Sequence, residues 1–142
     1  MSEPVFVGRP ISLADLEDVA VRGRPVALAA EAREKVQKSR EAIDAIAEQG
    51  DAAPRVYGVN TGFGALSETR ISATDVRELQ QNLVRSHATG VGPDLSSAEV
   101  RGMMLLRAQV LALGHSGVRE ALVDVLVAML NAKVHPRIPS QG

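Results

Sequence analysis

Apolar residues recur at helical spacing through most of this chain, and glycines, prolines and capping residues punctuate them. Val36, Ile43 and Ile46 share a face in a stretch rich in Ala, Glu, Lys and Arg. That pattern predicts one long amphipathic helix from about Leu28 to Gln49, stopped by Gly50. Upstream, the segment with Phe6 and the Arg9-Pro10 step reads as extended. Ser12 and Asp15 then form a capping-box-like pair that opens a short helix running through Ala20 and ending near Gly23. Downstream, Ser72 and Asp75 can cap a helix on which Val76, Leu79 and Leu83 share a face, and Gly90-Val91-Gly92-Pro93 stops it. Ser96 with Glu99 starts another helix to about Leu113, with Val100, Met103, Met104, Leu106, Val110 and Leu111 as its apolar content; the two methionines read as gap-filling core. After the break at Gly114-His115-Ser116-Gly117, a helix from about Val118 to Ala132 is apolar on most sides, so it belongs inside something. The chain then closes on a turn-forming stretch, Pro136 to Gly142. These features predict a large, mostly helical protein of which the chain is an incomplete part.

Composition narrows this picture. Hydrophobic residues make up 45% of the 142 positions but aromatics only 2%, so Ala, Val and Leu must fill the core, which suits closely packed helices. Sixteen basic and seventeen acidic residues nearly cancel, leaving no electrostatic footprint for nucleic acid. There is no cysteine, which excludes disulfides, thiol catalysis and thiolate metal sites. No apolar run is long enough to span a bilayer, and no apolar signal region opens the chain, so the expectation is a soluble cytoplasmic protein.

Candidate chemistry concentrates in Tyr57-Gly58-Val59-Asn60-Thr61-Gly62-Phe63-Gly64, which holds the only tyrosine of the chain. Three glycines and an Asn-Thr pair make neither a good helix nor a good strand; they make a loop that can turn sharply and approach another group closely. Tyr57 on that loop is either a packing anchor or a reactive group. A phenol titrates near ~10, so a basic role needs surroundings that favour phenolate, which loop amides or a helix N-terminus could supply. His87, near the C-terminal end of its helix, is either a helix-end cap or a contact for a polar ring. Spacing alone does not join the two. His87, His115 and His135 form no local ligand pair, so a metal site is not expected. The glycines at 58, 62 and 64 fit no phosphate-binding or dinucleotide fingerprint.

The octapeptide, then Asn82-Leu83-Val84-Arg85-Ser86-His87-Ala88-Thr89-Gly90-Val91-Gly92, then Pro136-Arg137-Ile138-Pro139-Ser140-Gln141-Gly142, together resemble the aromatic amino acid ammonia-lyase and aminomutase family. The resemblance spans the whole chain and is nearest to the N-terminal part of the histidine lyases. It implies the N-terminal helical portion of the ammonia-lyase fold, with long helices and a glycine-rich active-site loop, in a homotetramer whose sites draw on several subunits. It also implies a 4-methylidene-imidazol-5-one electrophile, formed from an Ala-Ser-Gly triad expected just beyond Gly142. Tyr57 then corresponds to the family's catalytic base and Gly64 to a loop glycine beside the substrate. Ser86 and His87 correspond to the selectivity pair, with the histidine facing the substrate ring. Arg85 is read as solvated or structural.

The activity implied is non-oxidative elimination of ammonia from L-histidine to give urocanate. The same pair also resembles some tyrosine ammonia-lyases and tyrosine 2,3-aminomutases, which stand as the alternative. A third reading is a catalytically inactive, truncated helical fragment. On any of these readings the 142 residues alone are expected to be inactive.

Overall fold

β-Branched residues at both ends of the N-terminal region pair as two short strands. β1 (Val5–Val7) runs parallel to β2 (Val26–Leu28), with Val5 opposite Val26 and Val7 opposite Leu28. The computed structural model describes residues 3–141; Gly142, the last residue of the Pro136 motif, lies outside them. The extended reading of the first residues holds, but the strand at Val26–Leu28 takes Leu28 out of the long helix. That helix, α2 (Ala30–Glu48), begins two residues later than the pattern predicts, because backbone pairing with β1 claims Leu28 first. Gly8 makes the exit from β1 possible. It has φ of +95°, and a Cβ there would lie 2.2 Å from the Ala32 Cβ.

Between the strands, the Ser12/Asp15 capping box opens α1 (Leu13–Glu17), in which Ser12 Oγ accepts from the Asp15 amide and Asp15 accepts from the Ser12 amide. The helix widens into a π-helical turn over Asp18–Arg22 and ends at Gly23, whose φ is +75°. Arg101, only 7% exposed, sits against that turn. It donates to the carbonyls of Val19 (2.8 Å), Ala20 (3.3 Å) and Leu130, so its buried charge rests on helix-end carbonyls.

The chain forms two compact units, Met1–Arg40 with Val91–Gly142, and Glu41–Gly90. In the first, α4 (Ser97–Ala112) and α5 (Glu120–Asn131) pack with the strands and the π turn around Val7, Val19, Ala32, Val100, Leu105 and Ala108. The Ser96/Glu99 capping box forms as the sequence predicts. Met104 is core, whereas Met103 is half-exposed, because neighbouring helix positions point to different faces; only one of the two methionines fills a gap. α5 buries Val123 and Leu130 but exposes much of Leu122 and Val125, so within this chain it is only partly inside. Asn131, its last residue, exchanges two bonds with the backbone of Val26, and Arg33 pairs with Asp124 and Glu120. The closing stretch is not merely a turn. β4 (Pro139–Gln141) pairs antiparallel with β3 (Val91–Asp94), an irregular ladder that accommodates Pro93 and Pro139.

The second unit contains the end of α2, a 3₁₀ turn at Gly50–Ala52, a long loop and α3 (Val76–His87). Val76, Leu79 and Leu83 share the half-buried face that their spacing predicts, but no residue of α3 is fully buried. Asp75 stands at the N-cap position without capping. Its carboxylate instead accepts from Ser72 Oγ at 2.6 Å, while the Ser72 carbonyl accepts the amides of Asp75 and Val76. Among the described residues no helix is long and apolar enough to cross a membrane.

Candidate active-site loop

The loop after the 3₁₀ turn is closed by polar groups rather than by apolar packing. Residues 60–62 lie alongside 69–71: the Ile71 amide donates to Asn60 O and the Gly62 amide to Thr69 O, both at 3.0 Å. Arg70 reaches back to the turn, with Nη1 on Ala53 O (2.6 Å) and Nη2 on Gly50 O (3.0 Å). Asp51 accepts the Ala73 amide, and Arg55 donates to Glu68 O. Gly62 is required for close approach, since a Cβ there would lie 2.7 Å from both the Cβ and the carbonyl oxygen of Leu66. Phe63 leads into a 3₁₀ turn at Gly64–Leu66, and the position a Gly64 side chain would fill is open space.

Tyr57 sits at the tip. Its ring is 64% exposed and meets Phe63 edge-on, with centroids 6.0 Å apart. The two aromatics of the octapeptide therefore support each other. Asn60 folds the chain beneath Tyr57, its Oδ1 accepting the Val56 amide (2.8 Å) and its Nδ2 donating to Pro54 O (2.9 Å). Among the described residues nothing hydrogen-bonds to the Tyr57 hydroxyl. Of the loop amides, those of Val59, Asn60 and Gly62 donate to the loop's own carbonyls and that of Val56 to Asn60 Oδ1.

Ser86 and His87 occupy the last turn of α3, both exposed. Ser86 Oγ donates to Leu83 O at 2.9 Å, and His87 Nδ1 lies 2.8 Å from the same carbonyl and 3.1 Å from Ser86 Oγ. With the serine proton committed to Leu83, Nδ1 faces two acceptors and must carry hydrogen. In the neutral ring Nε2 is then the lone-pair nitrogen. The ring thus caps the helix end through Nδ1 and keeps Nε2 for another partner. Arg85 is exposed beside it and lines a shallow apolar depression with Gln80, Gln81 and Val84.

Tyr57, Gly64, Ser86 and His87 all lie in the Glu41–Gly90 unit, but no hydrogen bond or ring contact links Tyr57 to Ser86 or His87 among the described residues. Sequence reasoning gave no separate role to Asn60 and Arg70, which hold the loop. Asn60 carried a signal, an asparagine closing a turn. Arg70 carried none, because its partners are carbonyls at Gly50 and Ala53 that any residue would present. Among the described residues, no group of three or more His, Cys, Asp or Glu side chains stands close enough to hold a metal ion.

Residues 11–142 match the family described as aromatic amino acid lyase. A histidine ammonia-lyase from Sorangium cellulosum is 67% identical over 138 residues, 97% of this chain and 27% of the relative. A solved tyrosine aminomutase from Streptomyces globisporus superposes with a TM-score of 0.90 at 39% identity, over 99% of this chain and 26% of that one. A histidine ammonia-lyase from Trypanosoma cruzi gives 0.84 at 36% identity, again over 99% of this chain and 26% of that one. The chain spans about a quarter of the length of these relatives.

Proposed function

The chain belongs to the aromatic amino acid lyase family, and from that premise we propose that it is the N-terminal segment of a histidine ammonia-lyase. Its reaction would be elimination of ammonia from L-histidine to give urocanate. The observation that carries the substrate is the anchored ring of His87. With Nδ1 tied to Leu83 O, Nε2 is presented as an acceptor, the partner that the N–H of a substrate imidazole requires. Ser86 supports this orientation by occupying the same carbonyl.

Tyr57 takes the proton. Its side chain is largely exposed and, among the described residues, its hydroxyl has no hydrogen-bond partner, which leaves the oxygen open to a substrate carbon. As phenolate it accepts the β-proton, the Cα–N bond breaks, a Cα=Cβ bond forms, and ammonia departs. Gly64 leaves room beside the loop where a side chain would intrude. A methylidene-imidazolone, expected from an Ala-Ser-Gly triad just beyond Gly142, would supply the electrophile that turns the amine into a leaving group. No Ala-Ser-Gly occurs in these 142 residues; on this reading the working enzyme is the complete protein, a homotetramer.

A second reading is tyrosine as substrate, by lyase or 2,3-aminomutase chemistry. It is favoured by the likeness to tyrosine aminomutase, and a phenol O–H could also donate to His87 Nε2. Assaying L-histidine against L-tyrosine in the complete protein, with products identified, separates the two: urocanate supports the first reading, coumarate or β-tyrosine the second. Tyr57→Phe lowers kcat by about 10²- to 10⁴-fold or more, the range for loss of a positioned base; retention of most of the rate would remove Tyr57 from that role.

A further inference from the structure

We propose that Asn60 is the positioning residue for Tyr57, with Arg70 holding the frame against which it works. The proposal rests on the reading of Tyr57 as the base. Among the described residues the Tyr57 side chain meets the Phe63 ring edge-on and makes no hydrogen bond, so the backbone beneath it sets where the phenol points. Asn60 commands that backbone. Its two side-chain bonds go to Pro54 O and to the Val56 amide, and its own amide donates to Val56 O at 3.2 Å. All three therefore act on the residues immediately before Tyr57. Its carbonyl accepts the Ile71 amide, which ties the tip to the returning strand. The residue is 9% exposed, so water does not readily replace these bonds.

Arg70 fixes the other end. Its two terminal nitrogens hold Gly50 O and Ala53 O, while its buried Nε has no hydrogen-bond partner among the described residues. A buried unpaired donor is a cost that the folded chain bears, and the two terminal bonds fix the guanidinium where it bears it. The segment 50–56 is thereby clamped at both ends, by Arg70 and by Asn60, with Tyr57 directly after it.

A base displaced by an ångström still binds substrate but abstracts a proton poorly. Asn60→Ala in the complete protein is therefore expected to lower kcat by about 10²-fold with KM near that of the parent, while the bonds left unmade at a buried site lower the melting temperature. The isosteric Asn60→Asp keeps the bond from the Val56 amide but turns a second acceptor oxygen toward Pro54 O, so its kcat also falls below that of the parent. The decisive measurement is a double-mutant cycle with Tyr57→Phe: once the phenol is gone, Asn60→Ala causes no further loss. Additive losses, or a raised KM with kcat unchanged, would overturn the positioning role while leaving the base reading intact. An active Tyr57→Phe would overturn both and be recognised by that single variant. If Asn60→Ala fails to assemble, the same cycle run with Asn60→Asp gives the same decision.

Discussion

The two units of this chain are held together by different forces. In the unit built from Met1–Arg40 and Val91–Gly142, aliphatic side chains from both strands, the π turn, α4 and α5 form a shared core, and reciprocal capping boxes open α1 and α4. In the Glu41–Gly90 unit the fully buried side chains are Ala53, Asn60 and Thr61, and α3 buries none. A cavity of about 130 Å³ beside Ile46, Val59, Ile71 and Val76 leaves its small apolar interior unfilled. The order there comes from directed polar bonds of Asn60, Arg70 and Asp51 to the backbone. Apolar packing gives the first unit its stability, and hydrogen-bond geometry gives the second its shape. The candidate residues Tyr57, Gly64, Ser86 and His87 all lie in the second, which suits a loop that must hold a phenol in one place without surrounding it.

That contrast can be broken most sharply by truncation in each unit. Leu105→Ala, at a fully buried position of α4, is expected to cost about 2–5 kcal/mol by denaturant unfolding of the complete protein. Leu83→Ala, on the half-buried face of α3, should cost well under half as much; equal losses would mean that the second unit has a core of its own once the protein is whole. Gly62→Ala tests the polar unit at its tightest point. The added methyl meets Leu66 at 2.7 Å, so a loss of about 1–3 kcal/mol is expected. Activity should fall with it, because the loop carrying Tyr57 must shift. A wild-type rate and melting temperature would show that the loop yields freely.

The smallest effect concerns pH. The Asp15 carboxyl is held below its ordinary range by bonds from the Ser12 backbone and side chain, and that of Glu99 by bonds from the Ser96 side chain and backbone. A depressed folded-state pKa means stability that is fully present above the unfolded carboxylate range and is lost as pH falls through the folded value. Melting temperature should therefore decline on the acid side, below about pH 4. Ser96→Ala should melt lower than wild type at neutral pH, and the gap should narrow in acid. The Glu99 side chain is exposed and that of Asp15 half-buried, so the change is modest and weakens in salt.

Much of the helical layout was legible because its signals are local. The Ser12/Asp15 and Ser96/Glu99 boxes sit where the sequence puts them, and Gly23 and Gly50 end or follow the helices before them. The errors fall where a distant partner decides. Leu28 belongs to a strand because Val7 lies opposite it, and Pro139–Gln141 extends because Val91–Asp94 is there to receive it. Met103 and Met104 differ only by one helical step, and which of them is buried depends on where the neighbouring elements stand.

By itself the sequence determined the family, the helix boundaries set by caps and glycines, and the identity of Tyr57, Gly64, Ser86 and His87 as candidates, because motif and capping chemistry are written in residues close together along the chain. Only the tertiary structure decided that Asn60 and Arg70 clamp the loop and that Arg101 rests buried on helix-end carbonyls. Those outcomes depend on backbone carbonyls and amides, which every residue carries alike. No residue type announces which of them will be brought within reach.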